Sequence, residues 1–271
     1  MTVEEMRKQK KKYGYSYEYI SQMSGVPVST IQKVFSGVTA SPRLKTMRAL
    51  TAVLDGEFDD AYYVREESPI YMDYINDSAI KLYTDDRYDG HTLKDYLALP
   101  DEQRAELIDG VFYDMGAPVP AHQIISNKIA FTLESHVNRR KGTCTVFSAP
   151  TDVQLDEDDK TVVQPDIFVV CDRNKIRNTR IFGAPDLVIE ILSPTTKGKD
   201  MYLKGYKYRN AGVREYWIVN PINKYIIVYD YEHNDMVRLY SFTDSIPVTI
   251  WDGACEVDFA PIQEAIAFLE E

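Results

Sequence analysis

Two apolar segments of this sequence each contain one carboxylate, and this feature limits what the chain can fold into. Asp166 lies in VVQPDIFVV and Glu190 lies in PDLVIEIL, and both segments read as strands. A buried carboxylate is costly unless it meets a cation or a metal ion. The fold must therefore bring a partner to Asp166 and another to Glu190, or one partner to both.

The residue types predict what that partner is. Two carboxylates from adjacent strands that converge on one pocket, with no cation inside either strand, favour a divalent metal ion. Ligation by oxygen alone suits Mg²⁺, with Mn²⁺ as the other candidate. A structural ion pair between Asp166 or Glu190 and a nearby arginine or lysine also explains the pattern, and spacing alone does not decide between the two.

An α/β pattern surrounds these carboxylates from residue 91 onward. Asp109-Gly110 reads as the turn of a hairpin, and apolar residues at four-residue intervals predict a long helix at about 119–140. The other predicted elements are a short helix from Thr92, strands near 143–155, 161–171 and 185–192, a helix at about 199–211, and strands in REYWIVN and KYIIVYDY. A sheet with flanking helices is the natural packing of such elements.

The charge of the chain is unevenly distributed. Residues 1–55 contain nine Lys or Arg and four Asp or Glu, which gives +5, whereas the whole chain carries −11 and the remainder therefore −16. A small basic head on an acidic body suggests two tasks, and only the head is electrostatically suited to a polyanion.

The basic head has the pattern of a helix-turn-helix. A charged helical stretch at 2–12 precedes a helix from Ser16 to about Ser24, a turn at Gly25 and a helix through Phe35 that Gly37 ends. A further helix follows Pro42. In the DNA-binding motif of this kind the second helix enters the major groove. The alternative is a helical module that binds protein and whose lysines are simply exposed to solvent.

The stretch SYEYISQMSGVPVSTIQKVFSGVTASP resembles the Cro/phage-repressor type of helix-turn-helix. That resemblance implies that the start of the second helix faces bases or phosphates, through Val28, Ser29, Thr30, Gln32 and Lys33. Gln32 is suited to a bidentate pair with adenine, and Lys33 to guanine or a phosphate.

Residues 91 to about 265 resemble the Uma-two family of restriction endonucleases, a branch of the PD-(D/E)XK nuclease superfamily. The segments that carry the resemblance are DYLALPDEQRAELIDG, PAHQIISNKI, VVQPDIFVV and PDLVIEILSPTTKGKDMYLKGYKYRNAGVREYWIVNP. The resemblance implies a mixed sheet of restriction-endonuclease type. Pro165-Asp166 then matches the PD element, Glu190 matches the (D/E) position, and the carbonyl of Ile191 joins them as a metal ligand.

The sequence departs from the superfamily pattern two residues after Glu190. The motif has lysine there and this chain has Leu192, which cannot stabilise charge on a phosphate. In relatives of this branch the following helix supplies the lysine, which implies Lys204 here, with Asp200 and Tyr208 one turn away. An exposed Lys204 paired with Asp200 is the alternative, and Lys207 is the second candidate for the catalytic lysine.

Four further residues are candidates for supporting roles. Glu106 matches an acidic position of the family and can complete the metal shell, or it is an exposed hairpin residue. His122 opens the long helix and matches a family histidine, which contacts a phosphate or only caps the helix. Gln164 lies on the face of Asp166 and can orient a ligand water, and Asp186 shares the face of Glu190.

These features predict an α+β protein: a helix-turn-helix domain at 1–56, a linker at 57–90, and a restriction-endonuclease-like mixed sheet flanked by helices at 91–271. The predicted function is a Mg²⁺-dependent DNA endonuclease directed by the helix-turn-helix. A DNA-binding transcriptional regulator with an inactive nuclease fold is the alternative, and a protein-interaction adaptor is a third. The predicted partners are DNA and a divalent metal ion, with a homodimer as an option because such motifs often bind two half-sites.

The apolar runs and the cysteines of the sequence bear on where in the cell the protein is located. No apolar run approaches the roughly 20 residues that span a bilayer, so a membrane is not an expected partner. Three cysteines, far apart in the sequence and odd in number, predict neither a disulfide framework nor a zinc cluster. A cytoplasmic location is the default expectation.

Overall fold

The structure is a computed structural model. It describes residues 2–13, 15–24, 26–39, 90–100, 102–156, 158–193, 203–233 and 236–269, together with isolated positions between 42 and 54. Residues 57–89 of the predicted linker at 57–90, Asp200 and the start of the predicted helix at 199–211 lie outside the described residues. The chain forms two compact units, and each is described by itself.

The N-terminal unit contains the helices of the predicted motif. They are α1 (Val3–Tyr13), α2 (Tyr17–Ser24) and α3 (Val28–Ser36). Their apolar faces meet in one core, which comprises Met6, Ile20, Val26, Ile31, Val34, Phe35, Leu50 and Leu54. Gly37 ends α3 in the left-handed conformation, with φ 83°, where its amide donates to the carbonyl of Val34. The predicted helix-turn-helix geometry is confirmed.

The second unit contains most of the regular structure. Its strands are β1 (Ala105–Ile108), β2 (Val111–Asp114), β3 (Thr145–Ser148), β4 (Val153–Gln154), β5 (Val162–Val163), β6 (Ile167–Val170), β7 (Ile181–Phe182), β8 (Leu187–Ile191), β9 (Glu215–Asn220), β10 (Tyr225–Asp230), β11 (Met236–Ser241), β12 (Ser245–Pro247) and β13 (Glu256–Asp258). Its helices are α4 (Leu93–Tyr96), α5 (Pro120–Arg140), α6 (Gly205–Ala211) and α7 (Ala260–Ile266). Single turns of 3₁₀-helix lie at Arg173–Lys175, Thr249–Trp251 and Ala267–Leu269.

The described strands form two larger sheets and one small one. Their orders are β11-β10-β9-β8-β6-β3, β2-β1-β5-β4-β7 and β12-β13. Parallel pairing of β8 with β9 and of β4 with β7 makes both larger sheets mixed. The predicted α+β class, with a mixed sheet flanked by helices, is confirmed.

The six-stranded sheet separates an apolar face from a face that carries polar residues. Ile125, Ile129 and Leu133 of α5 pack with Ile167 and Ile189 in the main core. Because side chains alternate along a strand, Glu190 of β8 points to the opposite face, where α6 packs. Tyr208 of α6 lies against Tyr216 of β9 there, with ring centroids 5.1 Å apart. Asp166 lies in the bend before β6 and contacts His122 at the start of α5.

Two predicted strands are each divided between the two larger sheets. The predicted strand at 161–171 becomes β5 and β6, separated by Gln164-Pro165-Asp166, and the one at 143–155 becomes β3 and β4, separated around Pro150. Proline has no backbone N–H to donate to a neighbouring strand, so strand pairing is interrupted at Pro150 and at Pro165. Asp166 therefore lies where the chain passes from one sheet to the other.

The hairpin between β1 and β2 has the predicted turn. Ile108 pairs with Val111, and both Asp109 (φ 51°) and Gly110 (φ 80°) have positive φ. Positive φ at both central residues is the requirement of a two-residue hairpin turn that matches strand twist. The turn fixes the register of β1 and so directs Glu106.

The cysteine prediction was wrong on one point. Thr145 of β3 pairs with Val170 of β6, which places Cys144 beside Cys171, and the two form a disulfide. This proximity depends on strand pairing and is invisible in the sequence spacing. Cys255 is a buried free thiol, and burial raises its pKa to about 11. In the part of the chain that the structure describes, no helix has the length and apolar character to cross a membrane.

Candidate active site

Antiparallel pairing brings Asp166 and Glu190 together. Ile167 of β6 pairs with Ile189 of β8, so the next step of the register places Asp166 opposite Glu190. Directly opposite residues of an antiparallel pair emerge on the same face, about 4.5–5.5 Å apart at Cα. The backbone amide of Ile191 donates to Oδ2 of Asp166 at 2.8 Å. The backbone amide that follows Glu190 thus holds the carboxylate of Asp166.

A third carboxylate reaches the same place from the other sheet. Glu106 of β1 is fully buried. Its Oε1 accepts a hydrogen bond of 3.0 Å from the backbone amide of Gln164. The expectation of an exposed hairpin residue is thus wrong for Glu106, because β1 pairs with β5 and turns this side chain inward.

Lys204 lies between two of the three carboxylates. Its Nζ is 2.8 Å from Oε1 of Glu106 and 2.6 Å from Oε1 of Glu190. It is 3% exposed, against 0% for Glu106. Leu203 and Lys204 form a π-helical turn directly before α6, a local geometry that occurs frequently at functional sites. The structure therefore places a lysine from the following helix against Glu190, as the family resemblance implied.

Tyr208 belongs with Glu106, Glu190 and Lys204 in one cluster of buried polar side chains, although the sequence suggested no role for it. Its hydroxyl donates to Oε1 of Glu190 at 2.6 Å, the same oxygen that Lys204 contacts. Its side chain is fully buried. The available signal was the four-residue spacing from Lys204, which puts both side chains on one face of the helix.

His122 contacts the carboxylate of Asp166 from the start of α5. Its Nε2 is 2.9 Å from Oδ2 of Asp166, so Nε2 carries the proton and the carboxylate accepts. Within the described residues, the other ring nitrogen Nδ1 is buried without a hydrogen-bond partner. Asp166 keeps 18% of its side chain exposed. No hydrogen bond of the described part of the chain ends on its Oδ1.

Gln164 links Glu106, which its backbone contacts, to a polar network formed by Tyr96 and Asp152. Its side-chain Nε2 donates to the hydroxyl of Tyr96 at 3.0 Å and to Oδ1 of Asp152 at 2.9 Å. Tyr96 also donates to Asp152, at 2.8 Å, and burial together with this carboxylate raises the pKa of Tyr96 above its usual range. Oε1 of Gln164 is buried and has no partner among the described residues, so it can accept from a bound water or ligand.

Two family models match this chain. Residues 93–250 match the Uma2 family model, described as "Putative restriction endonuclease", and residues 5–60 match the HTH_3 model, described as "Helix-turn-helix". The Uma2 match spans more than half of the chain. The chain belongs to the Uma2 family. It also carries an N-terminal helix-turn-helix domain.

Two relatives extend the comparison. An uncharacterised protein of Synechocystis sp., slr1290, is 26% identical over 174 residues, which cover 58% of this chain and 88% of the relative. The crystal structure of "a putative nuclease belonging to DUF820" from Anabaena variabilis superposes with a TM-score of 0.54 and 20% identity, over 64% of this chain and 97% of the other. At that identity the superposition shows a shared fold.

Lys207 of this Uma2 protein lies elsewhere. Its Nζ is 2.7 Å from Asp109 and 2.5 Å from Asp156, both more exposed carboxylates. Burial opposes its charge, but hydrogen bonds and attraction from these two carboxylates outweigh burial and raise the pKa of Lys207. Lys204 therefore pairs with Glu190, whereas Lys207 pairs with Asp109 in the turn of the β1–β2 hairpin.

Asp186 is also held away from the cluster. It precedes Glu190 by four residues of an extended chain, about 13 Å at the rise of a strand. Its Oδ2 accepts from the amide of Cys171 at 2.7 Å, and its Oδ1 from Arg214 at 3.1 Å. Glu232 also pairs with Arg214, at 2.6 Å. The sequence left open an ion pair of Asp166 or Glu190 with an arginine or lysine, and Glu190 has such a pair with Lys204. Asp186 has a separate ion pair with Arg214.

The donors around Asp166 and Glu190 suit a hard divalent cation. The three carboxylates of Asp166, Glu190 and Glu106 outnumber the one ammonium of Lys204, and a divalent ion would offset the excess negative charge. No three His, Cys, Asp or Glu side chains converge as a complete ligand set within the described residues. Mg²⁺ does not require one, because it usually keeps several waters and is bound through one or two carboxylates. The carboxylate oxygens of Asp166 and Glu190 are therefore donors of the type that Mg²⁺ takes.

The helix-turn-helix of this Uma2 protein presents the predicted polar surface on α3. Ser29, Gln32 and Lys33 are exposed, and Val28 and Thr30 are half-buried. The opposite side of α3 is apolar and lies in the core. The helix therefore offers polar side chains to a partner without disturbing its own packing.

Proposed function

We propose that this Uma2 protein is a Mg²⁺-dependent DNA endonuclease directed to DNA by its helix-turn-helix. The observation that carries the proposal is that Lys204 contacts both Glu106 and Glu190, while Asp166 is bonded to the backbone amide next to Glu190. Phosphodiester hydrolysis needs acidic ligands for a metal ion and a fixed positive charge near the phosphate. This cluster contains both.

Each residue of the cluster has a distinct role in the proposal. Asp166 and Glu190 would hold the metal ion, with the carbonyl of Ile191 as third ligand. Asp166 is partly exposed, and its Oδ1 accepts no hydrogen bond from the residues that the structure describes. When bound, Mg²⁺, or Mn²⁺ in its place, supplies Lewis acidity for the phosphate and a more acidic water. His122 orients the carboxylate of Asp166, and Gln164 offers a buried acceptor beside it.

Lys204 supplies the positive charge that Leu192 cannot. Its ammonium is held by Glu106 and Glu190, so no side-chain reorganisation is required when a phosphate arrives. Glu106 therefore positions Lys204 in this proposal. Tyr208 in turn holds the oxygen of Glu190 that Lys204 contacts.

The helix-turn-helix provides affinity for DNA. We assign base contacts to Gln32 and phosphate or guanine contacts to Lys33, with Val28, Ser29 and Thr30 beside them at the start of α3. A homodimer on two half-sites and a cytoplasmic location are the remaining parts of the proposal.

Cleavage of supercoiled plasmid DNA tests the enzymatic part. We expect conversion to the nicked form with Mg²⁺ or Mn²⁺ and none with EDTA. Gel electrophoresis of time courses over a range of Mg²⁺ concentrations measures the rate. No conversion with either ion, together with DNA binding that weakens as salt rises, would contradict the nuclease and favour the alternative.

That alternative is a DNA-binding transcriptional regulator with an inactive nuclease fold. One observation favours it: Lys204 pairs with both Glu106 and Glu190 and so offsets part of their buried charge. A cluster of this kind is stable without catalysing a reaction. Retention of binding to a DNA target by Asp166→Ala, with no cleavage by the wild type, is its specific signature.

Replacing Tyr208 with Phe is expected to lower the affinity for Mg²⁺ in the cleavage reaction more than it lowers the stability of the folded protein. The change removes one buried hydrogen bond to Glu190 and keeps the ring. Such outer partners typically contribute about 10–100-fold in metal affinity or activity. We expect the Mg²⁺ concentration for half-maximal cleavage to rise by that factor. Tyr206→Phe, on the same helix, is the matched control, and an equal shift in both variants would remove the role assigned to Tyr208.

A further inference from the structure

A set of seven basic residues lies at the end of β6 remote from Asp166. Three come from the end of α5 and the residue after it, and four from the segment that follows β6. We call this set the basic face; it comprises Arg139, Arg140, Lys141, Arg173, Lys175, Arg177 and Arg180.

Strand pairing brings the two segments of the basic face together. Cys144 follows the end of α5 by four residues and is bonded to Cys171, which directly precedes the second segment. The guanidinium Nε of Arg173 donates to the carbonyl of Thr143 at 3.3 Å. Cations that are about thirty residues apart in the sequence therefore occupy one region of the surface.

None of these seven cations is ion-paired within the described residues. Arg173, Lys175 and Arg180 contact uncharged oxygens, and no carboxylate of the described ranges lies within pairing distance of the other four. Arg139, Arg140, Lys141, Arg173 and Arg177 are exposed. By contrast, Lys204 and Lys207 of the same unit each hold two carboxylates.

The charge of the basic face opposes that of its surroundings. Residues 91–271 contain 19 Lys or Arg and 28 Asp or Glu, net −9. The basic face and Asp172, the acidic residue inside it, carry +6, so the rest of this region carries −15. A concentrated positive region on a negative body attracts a polyanion locally, whereas the rest of the body repels it.

Helix stabilisation accounts for only part of the pattern. Arg139 and Arg140 lie in the last turn of α5, where cations interact favourably with the helix dipole. That argument does not apply to the four cations of 172–180, which follow a strand. A second reason for their presence is required.

We propose that the basic face binds the phosphate backbone of duplex DNA, outside the cleavage site and without reading sequence. The presence of a DNA-binding helix-turn-helix in the same chain identifies DNA as the polyanion. Asp166 and Cys171 are five strand residues apart, about 17 Å, which is half of one turn of duplex DNA. The basic face thus gives an acidic unit a means of holding DNA near the carboxylate cluster.

Salt-dependent DNA binding of the full chain tests the proposal. The probe is a fluorescent 30-bp duplex, and EDTA is present so that cleavage does not enter the measurement. The variants are Arg139→Gln/Arg140→Gln and Arg173→Gln/Arg177→Gln. Each lost phosphate contact is expected to reduce the slope of log K against log salt by about 0.9, and to weaken binding at low salt.

The matched control removes two cations from the opposite edge of the six-stranded sheet, in Lys224→Asn/Arg238→Gln. Reduced slopes in both variants of the basic face, with the wild-type slope in the control, support the proposal. Wild-type slopes in the variants of the basic face, or an equal reduction in the control, overturn it. Because cleavage is not measured, failure of the proposed nuclease activity does not affect this result.

Discussion

Asp166→Asn and Glu190→Gln are each expected to reduce the rate of Mg²⁺-dependent DNA cleavage by about 10²–10³-fold, the usual cost of removing one preorganised electrostatic group from an active site. Each change replaces a charged oxygen by an amide of the same size. Asp166 directly precedes β6, which pairs with β8, the strand that contains Glu190, so either change removes half of the proposed carboxylate pair. Initial rates of plasmid nicking measure the effect.

Asp186→Asn is the matched control for these variants. Asp186 is also partly buried and immediately precedes β8, but its partners are Arg214 and the amide of Cys171. It should keep the wild-type rate within a few fold once folding is verified by circular dichroism. Unchanged nicking in Asp166→Asn and Glu190→Gln would contradict the assigned site, because the observed activity would then come from somewhere else.

Lys204→Met is expected to destabilise the folded protein by about 3–5 kcal/mol and to abolish cleavage. Removing one partner of a buried ion pair leaves an uncompensated charge in the interior. Here two carboxylates, Glu106 and Glu190, lose their ammonium at once, and neither is more than 4% exposed. Equilibrium unfolding in urea measures the stability change.

Two further variants separate the structural role of Lys204 from its catalytic role. Lys207→Met should be less destabilising, because its partners Asp109 and Asp156 are 44% and 22% exposed and can be hydrated. Adding Glu106→Gln to Lys204→Met should recover part of the lost stability but none of the cleavage. Equal losses in Lys204→Met and Lys207→Met would show that the Lys204 pairs are not energetically distinct.

Local features of the fold were predictable from the sequence. The turn at Asp109-Gly110 depends on backbone conformations that few residues adopt, so two letters suffice to predict it. The helices of the N-terminal unit follow from apolar spacing and from Gly37. The long helix at about 119–140 was predicted for the same reason and is present as α5.

The boundaries of the strands were less predictable, because pairing partners decide them. The segments at 143–155 and 161–171 read as single strands, yet each contributes to two sheets. Nothing in the alternation of side chains shows at which residue a strand changes its neighbours. For the same reason the disulfide between Cys144 and Cys171 was not predicted.

The sequence by itself determined which residues had to find partners. A carboxylate inside an apolar strand carries a desolvation cost that any fold must offset, so Asp166 and Glu190 were identified from their neighbours alone. The family resemblance then implied Lys204 as the replacement for the lysine absent at Leu192.

Only the tertiary structure decided which partner each charge received. Lys204 meets Glu106 from a strand almost one hundred residues earlier, Asp186 meets Arg214, and Tyr208 shares an oxygen of Glu190. Ion pairs and hydrogen bonds act over a few ångströms and at any sequence separation. The residue types therefore determine which side chains require a partner. The arrangement of strands and helices in space determines which partner each of them has.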